Sequence, residues 1–474
     1  MKSVVRWAVM GAAFGGGLVS PALAEDVGLL PEKMMVDTLE NGLKLVVIPV
    51  DAPGLATIAM WMKVGSGEES QAGLTGFAHF FEHLMFHGSE KLPGDVREQQ
   101  LLALSVAENA WTSTDATVYH LTLPARNIDA VLAIEADRFQ FLHLEEEGVR
   151  KEAGAVYGEF RKGRASAENA LWTGVFATAF DVHPYHHTTI GIEADIQAMP
   201  DQTAAARTFF QTWYRPDNAI LIVAGDVQPA AVRASIHRHF GDWKAASGVP
   251  PWPAIPVEPA PSGERRSQIV WESGPVNPHL AMAWRVPAVQ PGTRESAALS
   301  LLPALLTSDV APLQRKLVEE DRAALWVWSE APDMRQPGLY MVMMELVEGQ
   351  SPANGEAAVR AALQALVDDT SPEAQARFEM SRDRRRREVL LGLDSPEAWA
   401  SAVGRTMLVT GEPRTLDKEI AALATVTHED VAAAVRTYLL PTVGQTVVTL
   451  VPAEAAQPGI ASPPVGPERR GGEQ

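Results

Sequence analysis

Two histidines and a glutamate fall within five residues at His79-Phe80-Phe81-Glu82-His83. On a helix, at about 100° per residue, His79 and His83 point about 40° apart, with Glu82 about 60° to the other side of His79. All three share one arc, and Phe77, Phe80, Phe81, Leu84 and Met85 fill the opposite one. Such a helix buries its aromatic face and offers an imidazole pair and a carboxylate on the other. Neutral imidazoles at i and i+4 can hold one zinc ion, and a carboxylate beside them can take a proton from water activated there. Two helix histidines near a salt-bridging glutamate would read the same, so the motif needs context.

A catalytic zinc site needs a third protein ligand and an open position for water. Glu152 and Glu159 lie seven residues apart, two turns along one helix face. Gly154 and Gly158 between them lower helix propensity by about 1 kcal/mol each. With Ala153 and Ala155 they predict a helix that packs closely on another. Spacing leaves alternatives open. The pair could be surface acids, and the Glu145-Glu146-Glu147 cluster is nearly as eligible.

The elements that must position these residues can be read in outline. Residues 33–50 alternate around Asn41-Gly42, a hairpin signal. Thr57 to Val64, Val118 to Leu123 and Ala219 to Ala224 read as strands. Ile128 to Leu142 and Val149 to Arg164 read as helices. The Pro-rich, aperiodic stretch 244–265 cannot lie inside a helix or central strand. The halves on either side look like repeats. Ile196 to Val223 runs helix, Trp213-Tyr214-Arg215-Pro216, strand; Leu423 to Val451 runs helix, Tyr438-Leu439-Leu440-Pro441, strand. Thr57 to Val64 corresponds to Ala281 to Val286, and only the first half carries the histidine motif. The expected class is α+β: two homologous α/β-sandwich domains, each a mainly antiparallel sheet with helices packed on it, joined by a Pro-rich linker. The expected units are a signal peptide over 1–24, a catalytic domain over 25–245, a linker over 246–265, a non-catalytic domain over 266–455 and a disordered tail over 456–474.

Lys2 and Arg6, the apolar Trp7 to Val19 and Ala22-Leu23-Ala24 form the pattern of a cleavable export signal. Cleavage there would leave 38 basic against 59 acidic side chains, a net −21. That charge argues against nucleic acid and anionic membranes as partners. Without cysteine the chain has neither disulfide nor thiolate ligand. Export without disulfides fits a bacterial periplasm or secretion. No stable membrane insertion is expected once the signal is removed.

Further landmarks are Gly65-Ser66-Gly67-Glu68-Glu69, Gly73 to Phe86, Asn109-Ala110-Trp111-Thr112-Ser113, Thr117 and Tyr119. His183-Pro184-Tyr185 with Gly191, and Tyr214-Arg215-Pro216-Asp217-Asn218 with Gly225-Asp226, follow. Over nearly its whole length the mature chain resembles the pitrilysin/insulinase-type (inverted zincin) zinc metallopeptidases. It is most similar to half-size members such as the mitochondrial processing peptidase catalytic subunit. The resemblance implies that His79, His83 and Glu159 hold one Zn2+ per chain and that Glu82 is the general base. Glu152 would support a ligand histidine or the metal geometry. Asn109 and Ala110 would pair with substrate backbone at a sheet edge, which an extended peptide can do through main-chain hydrogen bonds. The implied function is a secreted zinc endopeptidase acting on peptides or unfolded polypeptides, working as a homodimer or with a metal-free homologue. The alternatives are a non-catalytic or scaffold subunit of a peptidase heterodimer, and a metal hydrolase acting on something other than peptides. Two departures stand out: Ser105 where the family often has glycine, and His87 where a Lys or Arg is common. His183, His186 and His187 read as a polar loop rather than a second metal site, and Arg384-Arg385-Arg386-Arg387 as a solvated helix face.

Overall fold

The Asn41-Gly42 turn folds as its residue types dictate. Gly42 takes φ +91°, and β1 (Met35–Thr38) returns antiparallel as β2 (Lys44–Pro49). The computed structural model describes residues 28–464 apart from 332; the expected export signal lies outside the described residues. β3 (Leu55–Met62), β4 (Ala107–Thr112), β5 (Thr117–Pro124) and β6 (Ala219–Gly225) complete a first sheet in the order β1-β2-β6-β3-β5-β4. A second sheet holds β7 (Arg265–Trp271), β8 (His279–Val286), β9 (Ala324–Glu330), β10 (Gly338–Leu346) and β11 (Gln445–Pro452), in the order β7-β11-β8-β10-β9. Each sheet has one parallel pair, β2 with β6 and β7 with β11. The last strand of the first half inserts between β2 and β3, and that of the second between β7 and β8, so β2-β6-β3-β5-β4 and β7-β11-β8-β10-β9 are the same topology. The mixed α/β class and its two sheets are as the sequence predicts.

The central strands of each sheet are buried on both faces, and the second covering comes from the other half. Val46, Ile48, Trp61, Val118 and Ile222 of the first sheet pack against Ala400, Val403 and Met407 of the helix Pro396–Thr410. In return α5 (Ala167–Ala179) presses Leu171, Val175 and Phe176 onto Ala281, Met341, Val448 and Leu450 of the second sheet. Gly404 makes the first crossing possible, because a Cβ there would lie 2.1 Å from the Trp61 ring. The halves are therefore interlocked, a feature the linear repeat does not announce.

The Pro-rich stretch has no helix or strand from 241 to 264. It is strapped to the first half: the Trp252 indole N–H donates to the Glu68 carbonyl (2.8 Å), and its ring meets Phe209 and Trp213. Residues 456–464 of the Pro/Gly-rich tail run beside β7, where Gln268 bonds Gln457 and Ala461 through backbone and side chain; residues 465–474 lie outside the description. Among the described residues no helix is long and apolar enough to cross a membrane.

Candidate metal centre and active site

The histidine motif lies on α1 (Phe77–Leu84), with Phe77, Phe80, Phe81 and Leu84 fully buried as the helical period requires. Both ends of this short helix are fastened. Gly76 enters it at φ +85°. Glu69 accepts from the backbone N–H of Gly76 and of Ala78, each at 2.7 Å, satisfying two otherwise unpaired donors of the first turn. Burial holds the Glu69 carboxyl well above its ordinary pKa. At the other end Tyr119 donates to the Phe81 carbonyl (3.0 Å), which leaves Tyr214 to donate to the Tyr119 oxygen (2.6 Å).

α4 (Glu146–Arg164) runs beside α1, seated by Val149, Ala153 and Val156. Its glycines do not serve close packing as their spacing predicts. A Cβ at Gly154 or Gly158 would meet nothing within 4 Å, because the helical period turns them away from the Val149–Ala153–Val156 stripe. Glu152 and Glu159 both point toward α1. Of the competing acids, Glu145 pairs with His143 (2.8 Å), and Glu146 and Glu147 are exposed on the first turn.

Three donor atoms converge between the helices. His79 Nε2 and His83 Nε2 are 3.3 Å apart, and Glu159 Oε2 lies 3.6 Å from the first and 3.7 Å from the second. Glu152 Oε1 accepts from His83 Nδ1 at 2.9 Å. That bond assigns the His83 proton to Nδ1 and turns the Nε2 lone pair toward the other two donors. Burial, and His83 beside it, hold His79 down to about 4, so its ring is neutral. Burial pushes His83 down, but Glu152 and Glu159 outweigh it and its pKa is raised. Hydrogen bonds from His83 and His87 hold Glu152 down to about 2. A triangle with these sides has its centre about 2 Å from each corner, the length of a zinc bond to imidazole nitrogen or carboxylate oxygen. The donor set therefore fits a divalent cation. Among the described residues it is the one group of three such side chains close enough to hold a metal.

Glu82 stands beside this triangle, and its Oε2 accepts from Thr112 Oγ1 at 2.6 Å. Burial lifts the Glu82 carboxyl, and Thr112 and His83 offset part of the rise. Thr112 ends β4, the free edge of the first sheet. Asn109 and Ala110 lie on the same strand, paired in register with His120 and Tyr119 of β5. The Ala110 N–H is capped by the Asn109 side-chain oxygen (3.0 Å). Beneath β4, Arg97 of α2 (Gly94–Ala103) donates to Glu108 of β4 (2.6 Å) and to Glu135 of α3 (Ile128–Phe141, 2.8 Å), and Glu135 also accepts from Arg138 (2.6 Å). This buried ionic network fixes the edge strand relative to the helix layer.

A family model described as insulinase (peptidase family M16) matches residues 46–192, and one described as peptidase M16 inactive domain matches 203–377. The zinc protease PqqE of Helicobacter pylori is 30% identical over 312 residues, covering 64% of this chain and 68% of that protein. The chain belongs to peptidase family M16, the insulinase family. The mitochondrial-processing peptidase subunit beta of Lentinula edodes is 23% identical over 450 residues, 89% of this chain and 90% of the relative. The probable zinc protease PqqL of Escherichia coli is 30% identical over 234 residues, and the match spans 24% of its length. The crystal structure of a protease from H. pylori superposes with a TM-score of 0.83 at 24% identity, over 89% of this chain and all of that one. The M16 chain thus has half-size relatives of the same two-sheet fold.

The histidines of the 183–187 loop are engaged otherwise. His183 Nε2 meets the Gln336 side-chain oxygen (2.9 Å), His186 Nδ1 donates to the His183 carbonyl (2.7 Å), and His187 Nδ1 donates to the Thr188 carbonyl (3.0 Å). In the arginine run, Arg384 and Arg387 are exposed, and Arg384 pairs with Glu388 (2.9 Å). Sequence reasoning assigned no role to Thr112, Glu69, Arg97 or Glu135. Period-2 alternation places Ala110 and Thr112 on one face of β4, which is a usable signal for Thr112. The others become visible only through contacts distant in sequence.

Proposed function

We propose that this M16 chain is a zinc endopeptidase of exported bacterial protein space, cleaving peptides or unfolded polypeptides. The convergence of His79 Nε2, His83 Nε2 and Glu159 Oε2 into a triangle of zinc-binding size carries the reading. These three residues would hold one zinc ion, and Glu152 fixes the His83 tautomer. When bound, zinc supplies Lewis acidity that lowers the pKa of an attacking water and polarises the peptide carbonyl. Glu82 receives the proton from that water at Oε1, since Thr112 occupies Oε2, and returns it to the leaving amine. β4 offers a free edge on which an extended substrate adds as a strand, with Asn109 exchanging its contact to the Ala110 N–H for one with substrate backbone. The zinc protease PqqE of Helicobacter pylori and the periplasmic protease PqqL of Escherichia coli, as relatives, support the activity and the compartment. The first 24 residues carry the export signal that takes it there. A second copy, or a metal-free homologue, covers the metal site from the other side.

Purified chain should cleave an unfolded protein such as reduced casein, lose that activity to a zinc chelator, and regain it with one zinc per chain. Glu82→Gln should keep the zinc and lose cleavage; His79→Ala or Glu159→Gln should lose the zinc. Chelator-insensitive cleavage, or full activity of Glu82→Gln, would overturn the mechanism. Stoichiometric zinc with no cleavage of any peptide would favour the scaffold alternative.

A further inference from the structure

Glu152 uses both carboxylate oxygens. Oε1 accepts from His83 Nδ1 at 2.9 Å, and Oε2 meets His87 Nε2 at 3.1 Å. His87 ends the turn Met85–His87 that continues α1, one helical turn beyond His83. Gly88 follows at φ +74° and reverses the chain, leaving the ring beside α4. α4 makes room for it at Gly148, where a Cβ would come within 3.1 Å of His87 Nδ1. The two rings therefore grip one carboxylate from opposite ends. Glu152 can neither rotate about its carboxyl axis nor swing toward solvent without breaking one of them. His79 has no comparable support: its Nδ1 is buried and meets no acceptor among the described residues. Orientation of the imidazole pair thus depends on the His83 side.

We propose that His87 is a positioning residue for the candidate zinc site, holding Glu152 in the one orientation that fixes the His83 ring. His87 does not face the donor triangle and takes no part in the chemistry. It acts through Glu152, as outer hydrogen-bond partners of metal ligands do. A lysine or arginine at this position could also donate to the carboxylate. Histidine does so with a short, flat ring packed close against Gly148, where a Cβ would crowd it.

This inference rests on the zinc reading of the preceding section, and the test separates the two. Zinc affinity of the metal-free full-length chain is measured by competition with a chromogenic chelator. Thermal midpoints of the same metal-free samples are recorded alongside. His87→Leu, which fills the space without a donor, should weaken zinc binding about tenfold and leave the metal-free midpoint unchanged. His87→Gln, which keeps an N–H, should restore affinity to within about threefold of the parent. In a Glu152→Gln background His87→Leu should add no comparable loss, because the residue through which it acts has already been altered. Unchanged affinity in His87→Leu, equal losses in the Leu and Gln variants, or a parallel fall in the metal-free midpoint would each overturn the role of His87. Absence of zinc binding by the parent chain, or zinc binding indifferent to His79→Ala, would sink the site reading as well.

Discussion

Replacing Glu135 by Gln is a sharp test of how the edge strand is held. The side chains of Arg97, Glu135 and Arg138 are 1–2% exposed, and only Glu108 reaches solvent, at 21%. The four charges sum to zero. Burial alone would raise the Glu135 carboxyl, but Arg138 and Arg97 outweigh it and hold it below the ordinary carboxylate range. Glu135→Gln leaves Arg97 with Glu108 and leaves Arg138 with no carboxylate. Removing one partner of a buried pair costs about 3–5 kcal/mol. The Gln carbonyl can still accept one Arg138 N–H, which returns about 1 kcal/mol. The expected loss is about 2–4 kcal/mol at pH 7, read in urea as a lower midpoint at unchanged slope. A folded-state pKa below the unfolded one means stability present above the unfolded value and lost as pH falls. The gap between parent and variant should therefore narrow below about pH 4. Adding Arg138→Met restores neutrality and should recover most of the loss. A deficit under about 1 kcal/mol, or no recovery in the double variant, would refute this account of the network.

Thr112→Val removes the hydroxyl that orients Glu82 while keeping its volume; cleavage should fall about tenfold, the equivalent of about 1.4 kcal/mol, with zinc content unchanged. Activity within twofold of the parent would remove Thr112 from the mechanism. Burial, with Asp333 adding to it, lifts Glu330 from 4.5 to about 7. The fold therefore holds a proton that the unfolded chain releases, and stability is lost as pH rises from about 5 to 7, by about 2–3 kcal/mol. Glu330→Gln should flatten that decline, so thermal midpoints of parent and variant should diverge at pH 8 and agree near pH 4; parallel profiles would contradict it. Gly404→Val drives a side chain into the Trp61 ring and should cost about 3 kcal/mol or more, with partial rescue by Trp61→Leu. A neutral Gly404→Val would mean that the helix Pro396–Thr410 is not seated as described.

What could be read from the chain alone was whatever obeys a short period. The aromatic stripe Phe77, Phe80, Phe81, Leu84 and the His/Glu/His arc follow from 3.6 residues per turn, and the structure places them accordingly. The hairpin at Asn41-Gly42, strands β3, β5 and β6 and helix α3 fall within two residues of their expected bounds. The seven-residue spacing of Glu152 and Glu159 put both on one face, but the choice of Glu159 over the neighbouring acids needed a family resemblance. Only the packing of α4 on α1 brings that carboxylate to 3.6 Å from His79. The same period misled at Gly154 and Gly158, since a spacing says which residues share a face and not which face meets a neighbour.

Tertiary structure alone decided the rest. The exchange of covering helices, the Glu69 cap, the grip of His87 on Glu152 and the neutral cluster around Glu135 join residues separated by from 7 positions (Glu69 to Gly76) to 343 (Trp61 to Gly404). Local sequence encodes the propensity and face of an element within a few turns. The partner of a buried charge, and the distance between two carboxylates and two rings, are settled when those faces compete to leave water together, and that competition is a property of the whole chain.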